Sequence, residues 1–349
     1  MEEIKSVEAQ EPSKTGCINC GHPVVLKGYP NALCESCRES MIRYPIPLWI
    51  KLFAAAVGVI FLVSLYKIPK NIDSGVHLEK GKTALEQRKY LTAQKELQKV
   101  VNKFPDNTEA EGLLLIAAFY NSDFETIGKA YEKIKDKNID DAELYSKVNN
   151  TLSRTEDYFL SEPLAKLQSQ YADDFSKIPD TTLQHYVDTH TNDINAALNL
   201  AQRSLEKKDF KACDSLMEKI LVYDIEYFPA LNFMTSLKRQ EEQLDESIKY
   251  CDKVLALNSE AVFAIASKSR TRLKQHMDNE ALKLAEEATK LDEKDAYAIG
   301  SLLLVYHFTN KTKEKETLMK KVALMKDSTS IQSLAFVNDV MAGKEFFRK

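Results

Sequence analysis

Glu280–Ala296 reads EALKLAEEATKLDEKDA, and its small residues Ala281, Ala285 and Ala288 each belong to a column that recurs along the chain. Cys213, Ser247, Ala281 and Lys315 lie 34 residues apart. So do Met217, Cys251, Ala285 and Met319, and likewise Ile220, Val254, Ala288 and Val322. A fourth column, Phe210, Leu244, Asp278 and Thr312, keeps the same step. Columns that are largely small or apolar at a fixed period mark a repeated helical unit whose inner stripe is buried against its neighbours. The units start near 194, 228, 262 and 296. After Pro229 there is no further proline, and only Gly300 and Gly343 interrupt the remaining chain. So few helix breakers predict helix after helix.

The frame also appears nearer the amino terminus. In His77–Pro105, HLEKGKTALEQRKYLTAQKELQKVVNKFP, the marker positions are Gly81, Ala84, Tyr90, Ala93, Leu97, Val100 and Pro105. A shift of 34 places Phe124, Ile127, Tyr131 and Ile134 on the same frame. These spacings resemble the tetratricopeptide repeat (TPR) family over about 250 of the 349 residues. Glu280–Ala296 is the segment most similar to that family's second helix. The tryptophan-and-leucine start of the family pattern is missing, with His77 and Lys80 there instead.

The resemblance implies a mainly α, TPR-type α-solenoid. Its parts would be TPR repeats over 77–141, a divergent helical repeat over 142–193, four repeats over 194–328, and a capping helix over 329–349. It also implies a concave face, lined by the first helix of each unit, that binds peptides or other proteins. On that frame the inward-facing candidates are Asn232, Arg239, Phe263, Arg270, Lys274, Tyr297 and His307. Cations beside aromatics suit an acidic or carboxylate-ended segment. The Lys/Asn clamp of some family members is not reproduced, since Leu198 and Gln202 occupy its first two positions in the fourth repeat.

CINCGHPVVLKGYPNALCESC places Cys17, Cys20, Cys34 and Cys37 in a C-x2-C-x13-C-x2-C array. Two thiolates three residues apart can chelate one ion from a tight turn, and two such turns close a tetrahedral zinc site. Gly21 suits the positive φ of the first turn. Val24–Leu26 reads as a short strand, with Gly28, Pro30 and Asn31 supplying the return. Residues 16–40 resemble a zinc ribbon, although CESCRE lacks the glycine of a second knuckle. Four thiolates fill every position, so the expected zinc is structural; a catalytic zinc keeps one position open. In an oxidising compartment the four thiols would pair as disulfides instead.

Ile46–Tyr66, IPLWIKLFAAAVGVIFLVSLY, carries Lys51 as its only charge. About 20 apolar residues suffice to cross a bilayer. The stretch therefore predicts a single transmembrane helix over 45–67, after a disordered tail over 1–15 and before a linker over 68–76. Reduced thiolates favour a cytoplasmic ribbon, which would put the repeats outside the cytoplasm.

Net charge is −4, so no strongly basic balance points to nucleic acid. No phosphate-cradling glycine loop, nucleophile elbow or HExxH is present, and nothing argues for an enzyme. Cys213 and Cys251 fall on buried columns and read as small hydrophobes. The expected function is a membrane-anchored scaffold that binds partner proteins through its TPR superhelix. The alternative is a membrane-tethered zinc-ribbon regulator contacting nucleic acid.

Overall fold

A computed structural model of the chain describes residues 16–42, 46–323 and 328–348, without the side chains of 42, 65–71 and 328–333. The expected disordered tail lies outside the described residues. The chain divides into two compact units, Met1–Asn71 and Ile72–Lys349. Among the described residues there are helices and no strand.

In the first unit, α1 (Glu35–Ile42) follows the cysteine loops, and α2 (Leu48–Glu86) then begins. No strand forms between the two cysteine pairs. Leu26 N–H reaches Leu33 O at 3.0 Å and Ile18 N–H reaches Ala32 O at 2.9 Å, and no ladder continues from either. The zinc-ribbon expectation is corrected to a cysteine cluster held by loops and one helix. The membrane expectation is corrected as well. No helix among the described residues is long and apolar enough to cross a membrane, so a single-pass protein with its two ends on opposite sides is not supported. Residues Leu48–Ser64 of α2 are mostly apolar, but the same helix runs on through the largely polar stretch Asp73–Glu86. The helix backbone also continues through residues 68–76, where a linker was expected.

The second unit takes the last turns of α2 and pairs them with α3 (Tyr90–Lys103). The next hairpin joins α4 (Thr108–Tyr120) to α5 (Phe124–Ile134). After α6 (Ala142–Glu156) and α7 (Glu162–Ser169) come a 3-10 turn (Phe175–Lys177) and α8 (Asp180–Thr189). Four hairpins follow: α9 (Ile194–Glu206) with α10 (Phe210–Tyr223), α11 (Phe228–Gln240) with α12 (Leu244–Leu257), α13 (Val262–Lys274) with α14 (Asp278–Leu291), and α15 (Ala296–Phe308) with α16 (Thr312–Val322). The last helix is α17 (Ser328–Met341), which packs on α15.

The repeat is visible atom by atom. The turn inside each hairpin holds one non-glycine residue in the left-handed region: Arg88 and Ser122, then Lys208, Glu242, His276 and Asn310, each 34 from the next within its set. The next N–H closes the turn onto the helix end, as Asp209 onto Ser204 O, Gln243 onto Lys238 O and Met277 onto Arg272 O. This is the bonding by which helices end at a left-handed residue. Cys213 Sγ, Ser247 Oγ and Ala281 O meet Ala201 O, Thr235 O and Ser269 Oγ across their own hairpins, again one contact per repeat. Small side chains occupy these columns because the two helices touch there. In the first hairpin a Cβ on Gly81 would come 2.7 Å from Leu97 Cγ.

Between 142 and 193 the frame lapses. The position 34 beyond Ser122 is Glu156, which stays helical, and the left-handed residues are Ala172 and Asp173 instead. Leu164, Ile178 and Leu183 from this stretch are fully buried in the same core as α9–α11.

Candidate metal centre and helix-A face

The four cysteines come together. Their sulfurs all lie within 4.8 Å of one another, and Cys20 Sγ is 3.5 Å from Cys34 Sγ. Sulfurs about 2.3 Å from a common zinc stand roughly 3.8 Å apart, so the donor set fits a tetrahedral ion. The first pair sits on a glycine-flanked turn. Gly16 and Gly21 have φ of 110 and 74, and a Cβ on Gly16 would come 3.0 Å from Gly21 O. Gly21 N–H donates to Cys17 O at 2.8 Å, and Cys17 N–H to His22 O at 2.7 Å. The second pair needs no glycine because α1 supplies the turn: Cys34 precedes it, Cys37 lies in its first turn, and Arg38 N–H donates to Cys34 O at 3.0 Å.

The local dipoles favour thiolate. The backbone of Cys34 is the main influence that pushes the Cys17 thiol down to about 6. The Ser36 hydroxyl, 3.4 Å from Cys34 Sγ, is the main one lowering Cys34. Cys20 goes the other way, up to about 12. The His22 backbone pulls it down, but the crowding thiols of Cys37, Cys34 and Cys17 outweigh that pull. Neighbouring sulfurs that crowd a thiol raise its affinity for a proton. His22 and Glu35 are exposed and stand outside the sulfur cluster.

The helix-A candidates meet in a different setting from the one expected. Arg239, Phe263, Arg270 and Tyr297, from α11, α13 and α15, do come into contact, but as an interior seam. Arg239 and Arg270 are 8% and 5% exposed. Arg239 donates to Ser267 Oγ at 2.6 Å and to the Tyr297 hydroxyl at 3.1 Å. Arg270 donates from Nε to Ser301 Oγ at 2.7 Å and lies 3.8 Å above the Tyr297 ring. Neither arginine pairs with a carboxylate among the described residues. Phe263 and Tyr297, one repeat apart, stack at 4.5 Å.

Burial alone would raise the Tyr297 phenol, but the Arg239 and Arg270 charges bring it below its usual value. Lys274 pairs with Glu242 at 2.5 Å and is largely buried. Asn232 is partly buried, and its Oδ1 has no hydrogen-bond partner. His307 is partly buried, and burial is the main influence lowering its pKa. Of the inward-facing candidates, Arg239 and Arg270 thus form a buried cationic seam, with Phe263 and Tyr297 at its partly exposed edge.

No family model and no curated protein matches the chain. Among solved structures the chain is similar to a tetratricopeptide repeat protein from Parabacteroides merdae ATCC 43184, at 13% identity over 78% of this chain and 88% of that one, with a TM-score of 0.41. It is also similar to YrrB, a TPR protein with an unusual peptide-binding site, at 17% identity over 59% and 95%, TM-score 0.34. A third likeness is to the yeast Tom70, at 17% identity over 78% and 65%, TM-score 0.37. The repeat assignment rests on the 34-residue recurrence of the turns, not on these likenesses.

Proposed function

We propose that this chain is a non-catalytic scaffold that binds partner proteins through the helix-A face of its repeats and carries one structural zinc ion. The observation that supports the scaffold reading is the hairpin turn repeated every 34 residues, which lines up first helices in two runs, interrupted over 142–193. Such runs offer length and rigidity rather than a reaction chamber. Partner contact falls to the partly exposed groups, Asn232, Phe263 and Tyr297. Arg239 and Arg270, which pair with no carboxylate among the described residues, stand behind them as a positive field that suits an acidic segment.

Zinc falls to Cys17, Cys20, Cys34 and Cys37. Bound there, it would cross-link a unit whose own core holds little beyond Leu33 and Val25. One preparation tests both halves. Full-length protein should hold one zinc per chain, lost in Cys34→Ser. Phe263→Ala should weaken partner capture while the helical signal stays intact. A metal-free wild type would end the zinc reading, and undiminished capture by Phe263→Ala would end the binding-face reading.

A further inference from the structure

The first two hairpins touch the later repeats far from where the chain joins them. Helix α3, like α12, α14 and α16, has no side-chain cap of its own. Its free N-terminal N–H is taken by a residue 168 positions away. Thr92 donates from N and Oγ1 to the Glu260 carboxylate at 2.7 and 2.6 Å. Beside it Ser259 N–H donates to Arg88 O at 2.9 Å, and the Arg88 guanidinium to the Ala256 carbonyl. Asn258, only 1% exposed, donates to Tyr120 O and to Asn121 Oδ1 at 2.9 and 3.1 Å. Lys95 Nζ extends the contact to Leu291 O at 2.9 Å.

These contacts are turn against linker and almost wholly polar, so water can replace each of them. The apolar part centres on Tyr120, which packs against the buried Phe228, Leu231, Val254 and Ala264. Tyr120 stacks on Tyr90 at 4.1 Å and meets Phe228 edge-on at 5.9 Å. Most of each side's core is its own, with Tyr158 packed against both and joining Phe119 to Tyr227. The hairpins close around Leu97 and Leu114 and around Leu115 and Ile127, while Leu164 to Leu237 form another cluster beyond. Between them lies Asp157–Ser161, outside any helix, tethered by Asn195 Nδ2 to the carbonyls of Asp157 and Phe159. Two sets of hairpins, a short non-helical joint and a largely polar clasp at the far end are the parts of a hinge.

We propose that the first two hairpins with α6 are a lid that swings on Asp157–Ser161, is clasped shut by the Ala256–Glu260 linker and by the Arg154 ion pairs to Asp224 and Glu226, and on opening exposes the Tyr90–Tyr120–Phe228 seam. The inference goes beyond the scaffold reading and needs no partner to test, so either can fail without the other. The experiment is hydrogen exchange with mass spectrometry on the full chain, comparing wild type with Thr92→Val and with Glu260→Gln. The two variants sit on opposite sides of the clasp.

If the lid opens as a unit, each variant speeds exchange about ten-fold at the Asn121 turn and at the linker after Leu291, which neither residue touches. Exchange within α13 and α15 stays unchanged, and the double variant adds little to either single one. Asn258→Ala should give the same pattern from a third position. Faster exchange confined to residues 88–93 or 256–261, or effects that simply add, would mean separate local contacts and would overturn the lid.

Discussion

Arg270 shows how a residue's type can mislead about its place. It reads as a surface cation on a helix, yet it is buried with no carboxylate beside it among the described residues. Its charge is met by Ser301, the Tyr297 carbonyl and the Tyr297 ring. Gly300 makes room, because a Cβ there would come 3.2 Å from Arg270 Nη2. Truncation to Ala should therefore cost about 2–4 kcal/mol in urea unfolding, as for other large buried side chains. Arg270→Met, which keeps the volume and removes the desolvated charge, should lie within about 1 kcal/mol of wild type.

Tyr297 adds a pH signature. Its phenol is lowered in the fold, so the folded state releases that proton before the unfolded chain does. Its contribution to stability is absent below the folded pKa, grows as pH rises through it, and is full above the ordinary phenol range near 10. Absorbance at the tyrosinate band should show one tyrosine ionising ahead of the rest, missing in Tyr297→Phe. A single unshifted tyrosine transition would contradict the seam.

Each hairpin turn carries a residue that would rather not be left-handed, and that sets a test at the scale of the element. Lys208 is exposed with φ 59. An L-residue in that region costs roughly 1–2 kcal/mol, and glycine relieves much of it. Lys208→Gly should raise the melting temperature, while Lys219→Gly, on the exposed face of α10, should lower it, at a cost of about 0.5–1 kcal/mol in stability. Opposite signs would confirm that the turn position, not glycine itself, matters. Gly81 tests the helix contact. Alanine there gains helix propensity but meets Leu97, which is fully buried and cannot yield, so Gly81→Ala should destabilise by about 1–2 kcal/mol net.

The elements also show what a sequence discloses. The array was legible because small residues such as Ala281 and Ala285 recur wherever two helices touch. The face was not, because first helices such as α13 pack on both sides, and a cation's type does not say which side it takes. The Glu260–Thr92 clasp left no signal at all, being one pair without a repeat. The apolar run of α2 was legible as helix but not as a described span. The absent second glycine knuckle was no defect, since α1 makes the turn around Cys37.

At the scale of the molecule, the cysteine cluster and the repeats are separate compact units with separate sources of stability. Chelation of full-length protein should therefore remove one zinc and leave the helical circular dichroism of the repeats almost unchanged. A large loss of helix on chelation would contradict that division. The lid, if it opens, changes which surfaces the array offers without altering any hairpin.

If partners meet the first helices of the repeats, a reactive residue on that face will capture them. The direct measurement is photo-crosslinking in cells, with the reactive residue placed at Phe263 or Asn232 on that face and, as control, at Lys249, exposed on α12. The account predicts the same partner from Phe263 and Asn232 and nothing from Lys249. Equal crosslinking from Lys249, or none from the helix-A positions, would contradict it.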